Sequence, residues 1–220
     1  MPPAYVTLLR PGAEADARPL LLLHGSNGGE QDLIPLATEI APRAGILAVR
    51  GDVEMRPGSA FFRRFPDRRI DVDDLRARAA RLAEFVRSVV ALDGSDGGFI
   101  ALGHSIIALG HSNGAIMATA LLLHAPDLLA GAILLRPVLP FEPPPGSSSA
   151  GRSVLVVDGA DDPRRTPEDG ALVAEALRRA GAAVQHGTSR SGHSVGSDDA
   201  DLARRWLGAL GPSSRPRRQG

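Results

Sequence analysis

The chain has 220 residues, 43% of them hydrophobic, and its 25 basic side chains equal its 25 acidic ones in number. This composition predicts one globular domain with a sizeable core, and the neutral charge balance argues against a dedicated nucleic-acid surface. The sequence contains no cysteine and no lysine, which excludes disulfides, cysteine nucleophiles, thiolate metal sites and Schiff-base chemistry.

The sequence shows no recognisable signal peptide and no membrane-spanning segment. The N-terminus lacks a basic segment followed by a long apolar one, and no apolar run is long enough to span a bilayer. We therefore expect a cytoplasmic protein. One domain is expected over residues 1–210, and the basic, proline-bearing residues 211–220 are expected to form a disordered tail. The sequence is compatible with a homodimer but does not identify the oligomeric state.

Strands and helices alternate along the first part of the chain. An edge strand is expected over residues 4–9, and four consecutive leucines predict a buried strand at Leu20–Leu23. Asp32 is expected to cap a helix whose apolar residues recur at helical spacing up to Ile40. Residues 44–49 predict the next strand.

Residues 50–70 show little regular pattern, and a connection of this length usually indicates a functional loop. Three of the six phenylalanines lie here: Phe61, Phe62 and Phe65. They either cover the main core or line a pocket, and the two roles are compatible. Four arginines accompany them: Arg63, Arg64, Arg68 and Arg69. We interpret these arginines as a solvated face, with attraction of anionic substrates as the alternative.

The remaining chain continues the same alternation. Helices are expected over residues 71–92, 115–123, 167–180 and 198–210, the third with Leu172 facing inward, and strands over residues 106–109, 132–135, 154–157 and 182–185. This order predicts a single-domain α/β fold, with a mostly parallel central sheet flanked by helices on both faces. In such folds the loops that leave the carboxyl ends of the strands line the functional site.

A G-x-S-x-G pentapeptide, Gly-His-Ser-Asn-Gly at residues 110–114, joins an expected buried strand to an expected helix. That context is the one a nucleophile elbow requires, and it favours Ser112 as a nucleophile over a plain glycine-rich turn. Gly110 and Gly114 leave room for the sharp turn, and the backbone N–H of Asn113 is a candidate donor to an oxyanion.

A tandem duplication precedes this turn, because the first five residues of segment 101–107 recur at once in segment 108–114. Only one copy can form the elbow. The first copy has Ile107 where the second has Gly114, and a β-branched residue would crowd the turn. We therefore assign the nucleophile to Ser112 and not to Ser105. The residues from 99 to 105 either lengthen the strand or form a loop.

A serine nucleophile needs a base to take its proton and an acid to orient that base. Among the six histidines, His193 is preferred as the base because it lies in a polar loop before the last helix, and His186 is its rival. Three aspartates that follow a strand compete as the acid: Asp158, Asp161 and Asp162. Spacing alone does not separate the last two. The chain order of serine, acid and histidine is the one expected of this fold.

These residues resemble a known family, the phospholipase/carboxylesterase group of α/β-hydrolases, which is related to acyl-protein thioesterases. The resemblance covers roughly residues 20–210. It rests on the motifs Leu-His-Gly-Ser at 23–26 with Glu30 and Asp32-Leu33, Gly-His-Ser-Asn-Gly at 110–114, Gly-Ala-Asp-Asp at 159–162 and Gly-His at 192–193.

The resemblance implies a serine carboxylesterase that hydrolyses small or medium acyl esters through a Ser-His-Asp triad and an acyl-enzyme intermediate. In the family the acid follows its glycine by three residues, which favours Asp162. The family's first oxyanion donor maps to the backbone N–H of Ser26, and the second maps to that of Asn113. No metal or organic cofactor is implied, and the expected partner is a small-molecule ester.

Pocket residues are also expected from the loops around the site. We expect Phe61, Phe62 and the loop from Pro137 to Phe141 to form the acyl or alcohol pocket. An acyl thioesterase or lysophospholipase is the alternative within enzymes, since the same groups transfer acyl groups from sulfur and oxygen. A non-catalytic α/β-hydrolase scaffold that binds a small ligand is the alternative outside them.

Overall fold

The computed structural model describes residues 5–13, 17–92 and 106–211. The strands in these ranges are β1 Thr7–Arg10, β2 Leu20–Leu23, β3 Ile46–Val49, β4 Val53–Glu54, β5 Ser59–Ala60, β6 Ile107–His111, β7 Gly131–Leu135, β8 Ser153–Gly159 and β9 Ala183–Ser189. The helices are α1 Ile34–Ile40, α2 Val72–Leu92, α3 Asn113–His124, α4 Asp169–Arg179 and α5 Ser197–Ala209.

Seven of these strands form one sheet in the order β1-β3-β2-β6-β7-β8-β9. Strand β1 runs antiparallel to β3, and every other neighbouring pair is parallel. The central strands are apolar throughout because both of their faces are covered, as in β2, where all four leucines are buried. The predicted single-domain α/β fold, with a mostly parallel sheet between two helical layers, is confirmed.

Alternate residues of each strand serve the two layers. Leu21 and Leu23 of β2 point into the core shared with α2, α3 and α4. Leu20 and Leu22 point into the core shared with α1 and α5. Because side chains alternate with a period of two, a slip of one residue in register would exchange the two faces. The leucine run therefore suits a strand that is buried on both sides.

Helix α3 lies at the centre of the molecule and is buried along almost its whole length, from Asn113 to Leu123. It packs against β2, β6 and β7 of the sheet and against α2 on its other side. Its small alanine side chains allow this close approach from several directions, so the turn that precedes α3 has a rigid support.

Two local expectations are wrong. Asp32 does not cap α1, because the N-cap position is Leu33 and Asp32 instead accepts a hydrogen bond from the N–H of Gly29 at 3.2 Å. Leu172 was expected to face inward but is 55% exposed. The buried stripe of α4 runs through Val173, Ala176 and Leu177, and Leu172 lies outside it.

The segment from 50 to 70 is more ordered than its sequence suggests. Strands β4 and β5 pair as a short antiparallel hairpin, and the N–H of Ser59 donates to the carbonyl of Gly28 at 3.0 Å. The segment is thereby tied to the loop after β2. The first copy of the duplicated motif, at residues 101–105, and the expected tail from residue 212 onward lie outside the described residues.

Every helix in the described ranges is too short or too polar to traverse a bilayer.

Candidate active site

Ser112 occupies a strained turn between β6 and α3, with φ 51° and ψ −105°. A positive φ is uncommon for a residue other than glycine and indicates stored backbone strain. The neighbours make the turn feasible, because a Cβ on Gly114 would lie 1.9 Å from the carbonyl oxygen of Leu23. A Cβ on Gly110 would lie 2.6 Å from the carbonyl oxygen of Gly114. Only glycine fits at either position.

Three side chains from three different loops meet at this turn. The Oγ of Ser112 lies 3.1 Å from Nε2 of His193, and Nδ1 of His193 lies 2.8 Å from Oδ2 of Asp162. An ionised carboxylate only accepts hydrogen bonds, so Nδ1 of His193 carries the proton and Nε2 is free to accept one from the serine hydroxyl. The parallel sheet brings the three residues together, since each follows the carboxyl end of a strand, β6, β8 or β9.

The local electrostatics favour a neutral imidazole and an ionised carboxylate at neutral pH. Burial lowers the pKa of His193 from its ordinary value of 6.5, and the hydrogen bond that its Nδ1–H donates to Asp162 opposes this change only in part. Burial would raise the pKa of Asp162, but the N–H of Arg164 and the ring of His193 outweigh it, so the pKa is lowered. A neutral histidine held by a carboxylate is the protonation state that a general base needs.

The rival residues from the sequence are arranged differently. Nε2 of His186 lies 2.6 Å from Oδ2 of Asp158, so these two residues, on the neighbouring strands β9 and β8, form a pair of their own. Asp161 is exposed, and among the described residues the Oγ of Ser112 contacts only His193 and Arg165 within hydrogen-bond distance.

Two other histidines shape the loops around the site. His24 is buried; its Nε2 accepts from the N–H of Gly51 at 2.9 Å, and its Nδ1 donates to the carbonyl of Gly25 at 2.6 Å. His111 donates from Nε2 to the carbonyl oxygen of His193 at 2.9 Å. Burial lowers the pKa of both rings, that of His111 to about 4, so both are neutral at physiological pH.

The two expected oxyanion donors lie on either side of the nucleophile. Ser26 follows β2 and lines the same cleft as Ser112. Asn113 is the first residue of α3, and its side-chain Oδ1 accepts from the N–H of Phe61 at 2.8 Å. Within the described part of the chain, neither backbone N–H donates to a protein acceptor. Both are therefore available to a substrate oxygen.

Of the expected pocket, the side chains of Phe61, Phe62 and Pro137 do not line the cleft, whereas Val138 of the loop 137–141 does. Ser112 opens into a cleft of about 1410 Å³, whereas Phe61 and Phe62 are only 1% and 2% exposed and belong to the core with α2 and α3. The ring of Phe61 packs against that of His24 at 4.7 Å, so it supports the loops from behind. Large aromatic rings gain most from such burial. Pro137 is also buried, and its neighbour Val138 lines the cleft instead.

A buried ion pair that sequence reasoning missed supports the loop of His193. Arg136 and Asp199 are fully buried and joined by two hydrogen bonds of 2.7 and 2.9 Å. The same guanidinium donates to the carbonyl of Gly192 at 2.8 Å and to that of Ser194 at 3.4 Å. The available sequence signal was a lone arginine at the end of the apolar run of β7.

Arg165 is a second residue that sequence reasoning missed. The Nη2 atom of Arg165 lies 3.0 Å from Oγ of Ser112. In the sequence, the only sign of a role for Arg165 is that it follows Asp162 by three residues. The four arginines between residues 63 and 69 divide into two groups. Arg63 and Arg69 pair with aspartates, whereas Arg64 and Arg68 line the cleft. All four are exposed, which agrees with their interpretation as a solvated face. The position of Arg64 and Arg68 in the cleft also suits the alternative, attraction of anionic substrates.

No three His, Asp or Glu side chains in the described ranges are grouped so that they could hold a metal ion.

The class of this protein follows from three features: the mostly parallel sheet, the strained serine between strand and helix, and the histidine beside that serine. The protein is a serine ester hydrolase with the α/β-hydrolase fold.

No protein-family model matches the chain. The chain is 35% identical over 187 residues to the Bacillus subtilis (strain 168) protein named "Putative hydrolase MhqD", a match that covers 85% of this chain and 90% of that protein.

Two crystal structures extend this likeness. The Bacillus cereus carboxylesterase superimposes with a TM-score of 0.84 at 31% identity, covering 93% of this chain and 94% of that one. The Mesorhizobium loti carboxylesterase superimposes with a TM-score of 0.79 at 33% identity, covering 93% of each chain. The chain belongs to the phospholipase/carboxylesterase family of α/β-hydrolases, as its motifs predict.

Proposed function

We propose that the enzyme hydrolyses small or medium acyl esters, with Ser112 as nucleophile, His193 as general base and acid, and Asp162 as the group that orients the histidine. The observation that carries this proposal is the continuous hydrogen-bonded series from Asp162 through His193 to Ser112, with distances of 2.8 and 3.1 Å. A serine hydroxyl is a weak nucleophile at neutral pH, and a neutral imidazole within hydrogen-bond reach activates it.

In the first half of the reaction, Oγ of Ser112 attacks the ester carbonyl while Nε2 of His193 takes the hydroxyl proton. The N–H groups of Ser26 and Asn113 donate to the oxyanion of the tetrahedral intermediate. A single donor of this kind is worth about 3–4 kcal/mol in a well-studied protease. His193 then gives its proton to the leaving alcohol, and the acyl group remains on Ser112.

In the second half, water replaces the alcohol and His193 acts as a base again. The water oxygen attacks the acyl carbon, its proton passes to Nε2, and the bond to Ser112 breaks as that proton returns to the serine oxygen. The products are the carboxylic acid and the alcohol. Asp162 stays ionised throughout, because its role is to hold the ring and to stabilise the imidazolium that forms.

The test is hydrolysis of p-nitrophenyl esters of increasing acyl length by the wild type and two alanine variants. Ser112→Ala should lose activity by a factor of about 10³ or more, because the nucleophile is gone. Ser105→Ala removes the equivalent serine of the first duplicated copy and should retain most of the activity. A fluorophosphonate probe should label Ser112, as located by mass spectrometry of peptides.

Two outcomes would contradict the proposal. Loss of activity in Ser105→Ala with activity kept in Ser112→Ala would move the nucleophile to the first copy. No labelling and no hydrolysis by the wild type would indicate a non-catalytic scaffold.

A further inference from the structure

Four arginines line the cleft that contains Ser112: Arg64, Arg68, Arg164 and Arg165. In the described part of the chain, none of them forms an ion pair with a carboxylate within 4 Å. Many other arginines are paired, among them Arg50 with Glu30 and Arg63 with Asp74. Arg64, Arg68 and Arg164 are exposed and Arg165 is half-buried, so the cleft holds four positive charges that no carboxylate within 4 Å in the described ranges neutralises.

Arg165 is held in place by neutral groups and aims at the nucleophile. Its Nε donates to the carbonyl of Arg136 and its Nη1 to the carbonyl of Arg164, both at 2.9 Å. The remaining nitrogen, Nη2, lies 3.0 Å from Oγ of Ser112. Carbonyl oxygens orient a guanidinium without neutralising its charge, so a full positive charge stands beside the reacting oxygen.

Arg64 adds a second cation to the same space. Its Nη1 donates to the carbonyl of Arg68 at 2.7 Å, and its guanidinium lies over the ring of Phe62 at 5.6 Å. Burial lowers the pKa of Arg64, and repulsion by Arg165 and Arg68 lowers it further. Like charges held close together raise the free energy of the empty site, and a bound anion would relieve that repulsion.

The carboxylates of the cleft do not compensate these charges by direct contact. Asp32 accepts from the N–H of Gly29 and Asp169 from that of Thr166. Glu39 pairs with Arg204 at 3.0 Å. Asp162 and Asp169 attract Arg165 only from beyond ion-pair distance, and burial outweighs that attraction, so the pKa of Arg165 is lowered.

We propose that the substrate is an ester that carries a free carboxylate, namely a half-ester of a short dicarboxylic acid. Resting on the proposed function of Ser112, this assigns the binding of the carboxylate to Arg165 and Arg64. Arginine presents a planar fork of donors that matches a carboxylate. Because Nη2 of Arg165 is within hydrogen-bond distance of Ser112, the carboxylate lies only a few bonds from the ester carbonyl.

The chemistry of hydrolysis is unchanged by the second carboxylate. The acyl C–O bond breaks, water supplies the hydroxyl to the acyl carbon and a proton to the alcohol, and the products are the dicarboxylate and the alcohol. The guanidinium groups bind the end of the acyl chain that does not react. We therefore expect them to make the enzyme hydrolyse a half-ester faster than a neutral ester of the same length.

The experiment compares monoethyl succinate with ethyl levulinate, in which a methyl ketone replaces the carboxylate on the same skeleton. Ethanol release should give a kcat/KM for the half-ester at least about tenfold above that for the ketone, since charge-assisted hydrogen bonds are roughly twice as strong as neutral ones. Arg165→Gln and Arg64→Gln should each lower this ratio severalfold. Arg87→Gln removes the same charge from an exposed position on α2, where Arg87 pairs with Asp127, and should leave the ratio unchanged.

Binding to Ser112→Ala, measured by calorimetry with both esters, separates this inference from the proposed function. Preferential binding of the half-ester that is lost in Ser112→Ala/Arg165→Gln supports the carboxylate site even if no ester is hydrolysed. Equal hydrolysis of both esters by the wild type would overturn the inference and leave the esterase intact. Equal binding of both esters to Ser112→Ala would overturn it as well.

Discussion

The guanidinium of Arg136 and the carboxylate of Asp199 form an ion pair from which solvent is fully excluded. The same guanidinium holds the carbonyl oxygens of Gly192 and Ser194, the two residues that flank His193. The position of the imidazole therefore depends on a charge pair formed by the end of β7 and the first turn of α5. Breaking such a buried pair is costly, so it anchors a loop that has little regular structure of its own.

Asp199→Asn should destabilise the protein strongly, because it leaves the charge of Arg136 buried without its partner. Loss of one member of a buried pair typically costs about 3–5 kcal/mol, which urea denaturation would measure. Asp201→Asn is the matched control on the same helix. Its side chain pairs with Arg204 at a half-exposed position, and such a pair is worth at most about 1 kcal/mol. Equal stability of the two variants would contradict the role of the buried pair.

Asp162→Asn should lower kcat far more than Asp161→Asn. The carboxylate of Asp162 accepts from Nδ1 of His193 and so keeps Nε2 free to accept the serine proton. An amide at the equivalent position of a serine protease lowers kcat by a factor of about 10⁴. Asp161 is exposed and is the adjacent residue with the same chemistry. Ester hydrolysis measured at pH 7 would check the pair, and a larger loss in Asp161→Asn would identify that residue as the acid.

Activity should fall at acid pH as His193 becomes protonated. The pKa of His193 lies below 6.5 because burial disfavours its charged form. Protonated His193 cannot accept the serine proton, so kcat/KM should rise with pH through an apparent pKa below 6.5 and be level by neutral pH. Because the carboxylate of Asp162 raises the pKa of His193, the residual activity of Asp162→Asn should rise at a still lower pH. If kcat/KM of the wild type instead rose with pH through an apparent pKa above 7, that result would argue against His193 as the base.

Gly114→Ala should disrupt the turn of the nucleophile, because its Cβ would lie 1.9 Å from the carbonyl oxygen of Leu23 in the central sheet. The backbone has to move, so we expect loss of both activity and stability. Gly208→Ala is the matched control, since a Cβ there meets nothing within 4 Å and the residue lies in α5. Alanine in a helix is favoured by about 0.5–1 kcal/mol over glycine, so this variant should be slightly more stable. Thermal unfolding would measure both effects.

The sequence alone was sufficient for the architecture because hydrophobic periodicity is a local property. Runs such as Leu20–Leu23 predict strands that are buried on both faces, and the helical spacing of apolar residues after Asp71 predicts α2. The elbow at Ser112 was also predictable from the sequence, because the turn needs a glycine two positions away on each side and the whole motif is contained in five consecutive residues. Chain order then predicted which later loops approach it.

The tertiary structure decided what depends on side-chain direction and on contacts between distant segments. It brings Asp162 rather than Asp161 to His193, pairs His186 with Asp158, and turns Phe61 into the core although its segment borders the site. It also brings Arg165 to Ser112 and sets Arg136 under the loop of His193. Each of these outcomes is decided by a few ångströms between segments far apart in the chain. Such distances cannot be predicted from residue type and spacing, because the distances follow from how the two helical layers pack on the sheet.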